Sequence, residues 1–169
     1  MASSYLAHIS AQGQTQSVFE HLCGTAALAK DFARPFGGEE QAELAGLAHD
    51  IGKYSEAFQR RLQGAPIQVD HSTAGAVECW QRGQPFAAFA VAGHHGGLPD
   101  GGSQTDGPDQ ATLWGRIKRK EQGLLEPYEA WMQEVTLPKT GVPNFMERSG
   151  PEWVFFTRIL YFCLLDRVA

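Results

Sequence analysis

The chain has 169 residues, 43% of them hydrophobic and 20% charged, which is the make-up of a soluble globular protein with one sizeable core rather than of a disordered or fibrous chain. A formal net charge of -5 argues against a surface that holds nucleic acid by general electrostatics alone, but not against an enzyme whose bound cations reverse the local field. No apolar run is long enough to cross a bilayer, and the N-terminus lacks a signal-peptide pattern. The three cysteines, Cys23, Cys79 and Cys163, form no close-spaced pair, so reduced cysteines and a cytoplasmic location are expected.

Residues 1–16 are small and polar and read as an irregular lead-in, in which His8 is an ordinary solvated histidine. From Ser17 the pattern becomes helical. Val18, Leu22, Thr25, Ala26 and Ala29 recur at three- and four-residue steps, with Phe32 and Phe36 extending the stripe. Ser17 and Glu20 have capping-box spacing, and Pro35 with Gly37-Gly38 ends the helix. His21 lies on its inward side, either as a satisfied core residue or as a ligand.

A second helix is expected over 39–51, apolar over more than one face, with Gly46 allowing another backbone to approach. It carries His49 and Asp50 into the interior, where a carboxylate must meet a cation or several donors. Lys53 follows within a short turn, placed either to neutralise a phosphate oxygen or to pair with a nearby acid. A short helix over 55–62 turns Phe58 and Leu62 inward and Arg60 and Arg61 outward. Asp70 is positioned to cap the next helix, with His71 in its first turn. The apolar helix Pro85–Val91 ends in Gly93-His94-His95-Gly96-Gly97.

Residues 96–112 are rich in Gly, Asp, Pro and Ser and read as a mobile loop, either a gate or a plain insertion. Helical spacing returns over 111–135. There Arg116, Lys118, Arg119 and Lys120 form a basic cluster, either a solvated face or a phosphate contact. The last segment, 152–169, is a strongly apolar core helix with Asp166 as the single carboxylate near its end. Its pattern stops abruptly, as in a fragment of something longer. No strand alternation and no internal repeat is visible, so a single all-α domain over 1–169 is expected.

His21, His49, Asp50, His71, His94, His95 and Asp166 sit mostly on or at the ends of buried helices. Imidazole with carboxylate suits first-row divalent metals, and this many donors exceeds what one ion needs. Two ions with Asp50 bridging would clamp the attacking and leaving oxygens of a phosphoryl displacement and lower the pKa of a water between them. Lys53 would then offset charge on a phosphate oxygen, and no serine or cysteine nucleophile is required.

The ordered set resembles the HD phosphohydrolase superfamily, and more closely the HD nuclease domain of the type I CRISPR-associated helicase-nuclease. The motifs are Ala7-His8, Glu20-His21-Leu22, Gly46 to Lys53, Phe58-Gln59, Asp70-His71-Ser72 with Gly75-Ala76, and Gly93 to Leu98. The resemblance implies an HD-domain helical bundle with a dinuclear centre and metal-dependent cleavage of single-stranded DNA. One ion would be held by His21, His49, Asp50 and the late aspartate, the other by Asp50, His71, His94 and His95, with Asp50 and Lys53 catalytic. The imidazole and carboxylate donor set suits Mn, Fe, Co or Ni, with Mg or Zn as alternatives. The implied partners are an ATP-driven helicase domain or subunit and an RNA-guided surveillance complex; no membrane is involved.

The C-terminus departs from the family pattern. Arg158 to Asp166 matches as far as the first of two expected aspartates, and the second falls on Val168. Aligning Leu165-Asp166-Arg167 with the Ala-Asp-Arg ending of other HD proteins makes Asp166 the ligand. Two other functions fit the same residues: an HD phosphohydrolase acting on nucleotides or cyclic dinucleotides, and a degenerate HD fold that only docks a partner.

Overall fold

In the computed structural model, residues 5–141, 143 and 150–168 are described, and the side chains of residues 166–168 lie outside that description. The chain opens with a β-hairpin rather than an irregular lead-in. Strand β1 (Leu6–Ile9) pairs antiparallel with β2 (Thr15–Ser17), in the register Leu6↔Ser17, His8↔Gln16 and Ile9↔Thr15. Strands of four and three residues with one buried side chain, Ala7, are too short for an alternation to show in sequence.

Helix α1 (Val18–Ala33) begins with the expected capping box: Ser17 Oγ accepts from the Glu20 N–H at 3.1 Å and Glu20 Oε2 accepts from the Ser17 N–H at 3.1 Å. Val18, Leu22, Thr25, Ala26 and Ala29 are buried as the spacing requires. The stripe continues through Ala33, however, while Phe32 is 41% exposed. Helix α2 (Glu39–Ala48) stops one residue before His49, and a 3-10 turn (Ile51–Tyr54) follows Asp50. Gly46 is where α2 crosses α1. A β-carbon there would lie 2.4 Å from Ala26 Cα, so only glycine permits the approach.

Helix α3 (Glu56–Leu62) is capped by Ser55, whose Oγ accepts from the Phe58 N–H. Helices α4 (Ser72–Gln81) and α5 (Pro85–Gly93) form an antiparallel pair, and α5 also packs on α2. Helix α6 (Leu113–Glu121) is much shorter than the expected 111–135. The chain turns at Gly123 (φ +68°), and only a 3-10 turn (Glu129–Gln133) follows. Helix α7 (Pro151–Val168) packs on α5 and α1. It is not buried all round: Phe156, Leu160, Cys163 and Leu164 face the core, whereas Trp153, Val154, Phe155 and Phe162 are exposed. An unbroken apolar run hides which of its faces is covered.

The loop 96–112 contains no helix or strand. Backbone bonds from Leu113 N to Asp100 O (2.9 Å) and from Trp114 N to Gly101 O (3.1 Å) tie it to the start of α6. Leu22, Leu44, Ile51, Val77, Val91, Leu113, Leu160 and Leu164 form the fully buried centre of the core. Among the described residues no helix is long and apolar enough to cross a membrane, and Cys23, Cys79 and Cys163 form no disulfide.

Candidate metal centre

The helix ends converge. His21 comes from the second turn of α1, His49 caps the C-terminus of α2, His71 stands at the N-terminus of α4, and His94 and His95 leave the C-terminus of α5. Asp50 lies among them, wholly buried. Its two oxygens face different partners. Oδ2 is 2.9 Å from His21 Nε2, 3.2 Å from His49 Nε2 and 2.8 Å from Lys53 Nζ. Oδ1 is 3.3 Å from His94 Nε2, 3.5 Å from His71 Nε2 and 4.0 Å from His95 Nε2. The donors therefore form two groups that share Asp50: His21, His49 and Asp50, and Asp50, His71, His94 and His95.

The residues fit divalent ions. Two donors about 2.1 Å from a common ion and at right angles are about 3.0 Å apart. The Nε2···Nε2 separations are 3.0 Å for His21–His49 and 2.7 Å for His71–His95, near that spacing. The rings are also oriented for it. His49 Nδ1 donates to Gly46 O at 2.8 Å and His94 Nδ1 donates to Val91 O at 2.6 Å, which turns each Nε2 toward the centre. Neutral and with its proton on Nδ1, His49 presents a lone pair to an acceptor oxygen of Asp50. A cation between them is what reconciles that arrangement.

Electrostatics keeps the groups in ligand form. Burial lowers the pKa of His49, of His71 and of His95, the last to about 4, so these imidazoles are neutral at physiological pH. Burial alone would raise the Asp50 carboxyl. The ring nitrogens of His49, His21 and His94 that face it outweigh this and hold Asp50 ionised, well below the usual carboxylate range.

The HD domain family matches residues 18–126, more than half of the chain. The chain belongs to the HD domain family. Members of this family are metal-dependent hydrolases, and the matched span contains His21, His49, Asp50, Lys53, His71, His94 and His95 but ends before α7. No curated protein matches the sequence.

In this HD domain, the six residues His21, His49, Asp50, His71, His94 and His95 are gathered at one place. Lys53 is 4% exposed, and the acid it pairs with is Asp50 itself. The side chain of Asp166 lies outside the described residues, though its backbone belongs to α7. Asp70 is not a ligand. It accepts from Thr73 N at 3.1 Å and Thr73 Oγ1 at 2.6 Å, capping α4 as its position predicts. The basic cluster of α6 supports this capping turn: Arg116 and Arg119 each stand 3.8 Å from Asp70, and Arg116 also donates to Thr73 Oγ1 at 2.7 Å. Lys118 and Lys120 pair with Glu121 and Glu129.

A cavity of about 310 Å³ opens over the centre, with Lys53, His71 and His95 among its lining residues. Two residues expected to face solvent are indeed exposed and also line the cavity. His8 is carried there by the hairpin, with Nε2 3.4 Å from Lys53 Nζ. Gln59 pins the hairpin in place, accepting from Leu6 N at 3.0 Å and donating to Leu6 O at 2.9 Å. Burial and the nearby Lys53 charge lower the His8 pKa to about 4. The Ala7-His8 motif was the available signal for it. Arg61, expected to face outward, is the second; helical spacing from Phe58 was its signal. No residue of the loop 96–112 lines this cavity.

Proposed function

We propose that this protein is a metal-dependent phosphodiesterase that cleaves single-stranded DNA, with a helicase domain or subunit and an RNA-guided complex supplying the exposed strand in type I CRISPR interference. The observation that carries the reading is the division of Asp50 between two imidazole groups, His21 with His49 on Oδ2 and His71, His94 and His95 on Oδ1. That is the donor set of a two-ion phosphodiester hydrolase. The motif order with Asp70-His71-Ser72 and His94-His95-Gly96-Gly97 supports a nuclease over a nucleotide hydrolase.

One ion would rest on His21, His49 and Asp50, with Asp166 as a proposed fourth ligand, and the other on Asp50, His71, His94 and His95. When bound, such ions lower the pKa of a water and offset charge on phosphate oxygens. The protein's own contribution is orientation and charge. The carbonyls of Gly46 and Val91 fix the His49 and His94 rings, so little reorganisation is needed when substrate arrives. Lys53, at the floor of the cavity, places an ammonium where negative charge grows on the phosphate.

The test is incubation of purified protein with circular single-stranded DNA, with and without Mn²⁺ or Ni²⁺, beside His49→Ala and Asp50→Ala. Metal-dependent nicking lost in both variants is the expected result. Hydrolysis of a mononucleotide or cyclic dinucleotide with the DNA left intact would replace this reading by the nucleotide phosphohydrolase. A protein that takes up no metal would be a docking module.

A further inference from the structure

The cavity over the centre has a floor and a mouth of different character. Lys53 is at the floor, buried and 2.8 Å from Asp50 Oδ2. Arg61 is at the mouth, exposed to solvent. It reaches the cavity because Phe58, Arg61 and Leu62 stand at i, i+3 and i+4 on α3 and so share one face, and all three line the space. Arg60 falls off that face, is exposed and does not line the cavity.

The charge of Arg61 has no local use. The cations of α6, and Lys53 itself, each have a carboxylate within 4 Å, whereas Arg61 has none among the described residues. No acidic side chain lines the cavity either; Asp50 lies beneath it. A guanidinium is a rigid fork of donors suited to a phosphate's paired oxygens, and here it stands beside a centre built to act on a phosphate.

We propose that Arg61 is a substrate-binding residue of this site, holding a phosphate of the strand adjacent to the one that faces Asp50 and Lys53. The assignment rests on the nuclease reading and deepens it. Arg61 selects substrates that carry a second phosphate, and it acts on binding rather than on the bond-breaking step.

The experiment compares wild type, Arg61→Gln, Arg61→Lys and Arg60→Gln, all checked for unchanged melting temperature and metal content. Fluorescence anisotropy with a labelled single-stranded oligodeoxynucleotide in EDTA, over a series of salt concentrations, reads binding without catalysis. Arg61→Gln is expected to weaken binding about tenfold at low salt and to flatten the log–log salt slope by about 0.7, the loss of one single-strand phosphate contact. Arg61→Lys should recover part of the affinity, and Arg60→Gln should bind like wild type. With Mn²⁺ added, Arg61→Gln should lose about tenfold in kcat/KM on the oligonucleotide, mainly through KM, but stay within about twofold on bis(p-nitrophenyl) phosphate, which has no second phosphate. An unchanged salt slope in Arg61→Gln, an equal loss in Arg60→Gln, or an equal loss on both substrates would overturn the assignment. A wild type that binds the strand but never cuts it would overturn the nuclease reading alone, since the anisotropy comparison still decides Arg61. A wild type that neither binds the strand in EDTA nor cuts it with Mn²⁺ overturns both.

Discussion

Gly52 and His71 meet backbone to backbone: a β-carbon on Gly52 would stand 2.3 Å from the His71 carbonyl oxygen and 2.5 Å from its Cα. This contact seats the turn after Asp50 directly on the N-terminus of α4, and so sets His71 Nε2 3.5 Å from Asp50 Oδ1. Gly52→Ala should force the two segments apart. Overpacking of this kind costs about 1–3 kcal/mol. The expected outcome is a lower melting temperature together with weaker metal uptake by the group containing His71. Gly24→Ala is the control, since nothing lies within 4 Å of a β-carbon there and alanine favours the helix. If Gly52→Ala melts and binds metal like wild type, the turn and α4 are not locked as described.

Asp50 is the one ligand common to both groups, and this gives metal stoichiometry an asymmetric pattern. His21→Ala removes a donor from one group and His95→Ala from the other, so on the proposed two-ion reading each variant should retain about one ion where wild type takes up two. Asp50→Ala should retain almost none. Equilibrium dialysis followed by elemental analysis measures this directly. Equal losses in all three variants would mean a single shared ion.

The centre was more legible in sequence than the fold around it, for a physical reason. A ligand must be polar in an apolar setting, so His49-Asp50 after Leu47-Ala48 and His94-His95 after Val91-Ala92 stand out whatever the surroundings. Periodicity is weaker evidence where it is short or saturated. The hairpin Leu6–Ser17 was too short to alternate, and α7 was too uniformly apolar to show that Phe155 and Phe162 face outward. The break at Gly123 was masked by apolar residues beyond it that resumed helical spacing by chance. His8 and Arg61 are exposed as expected, but that both border the cavity depends on which elements pack together. A hairpin pinned by Gln59 brings one to the cavity, and a helix face turned toward Lys53 brings the other.

Lys53 and Asp50 form a buried pair, their side chains 5% and 0% exposed. Removing one partner leaves the other charge in a low-dielectric setting. Lys53→Met should therefore cost the metal-free protein about 3 kcal/mol, read as a lower urea midpoint. Bound divalent ions would supply the missing positive charge, so the gap between variant and wild type should narrow when metal is present. On the proposed nuclease reading, nicking should fall even at saturating metal, because the ammonium at the cavity floor is gone. A metal-free midpoint equal to wild type would show that the surrounding histidines alone hold the Asp50 charge.

The same cluster sets the acid limit of the metal-free protein. His8 and His95 have their pKa lowered to about 4, and His49 and His71 are lowered as well, all chiefly by burial. In the unfolded chain these rings titrate near 6.5. Between the two values the unfolded state binds more protons than the folded one, so stability falls as the pH drops through this window and is fully present above it. Asp50 acts in the same direction at lower pH, because its depressed carboxyl gives up its contribution only as the pH falls below the ordinary value of 3.8. Urea titrations in EDTA should give a midpoint that is flat above about pH 7 and declines steadily below about 6.5. Protons compete with metal for the same nitrogens, so metal affinity should decline over the same range. A midpoint that rose between about pH 7 and 5 would mean that the histidines fold in their charged form, and the neutral ligand set around Asp50 would have to be abandoned.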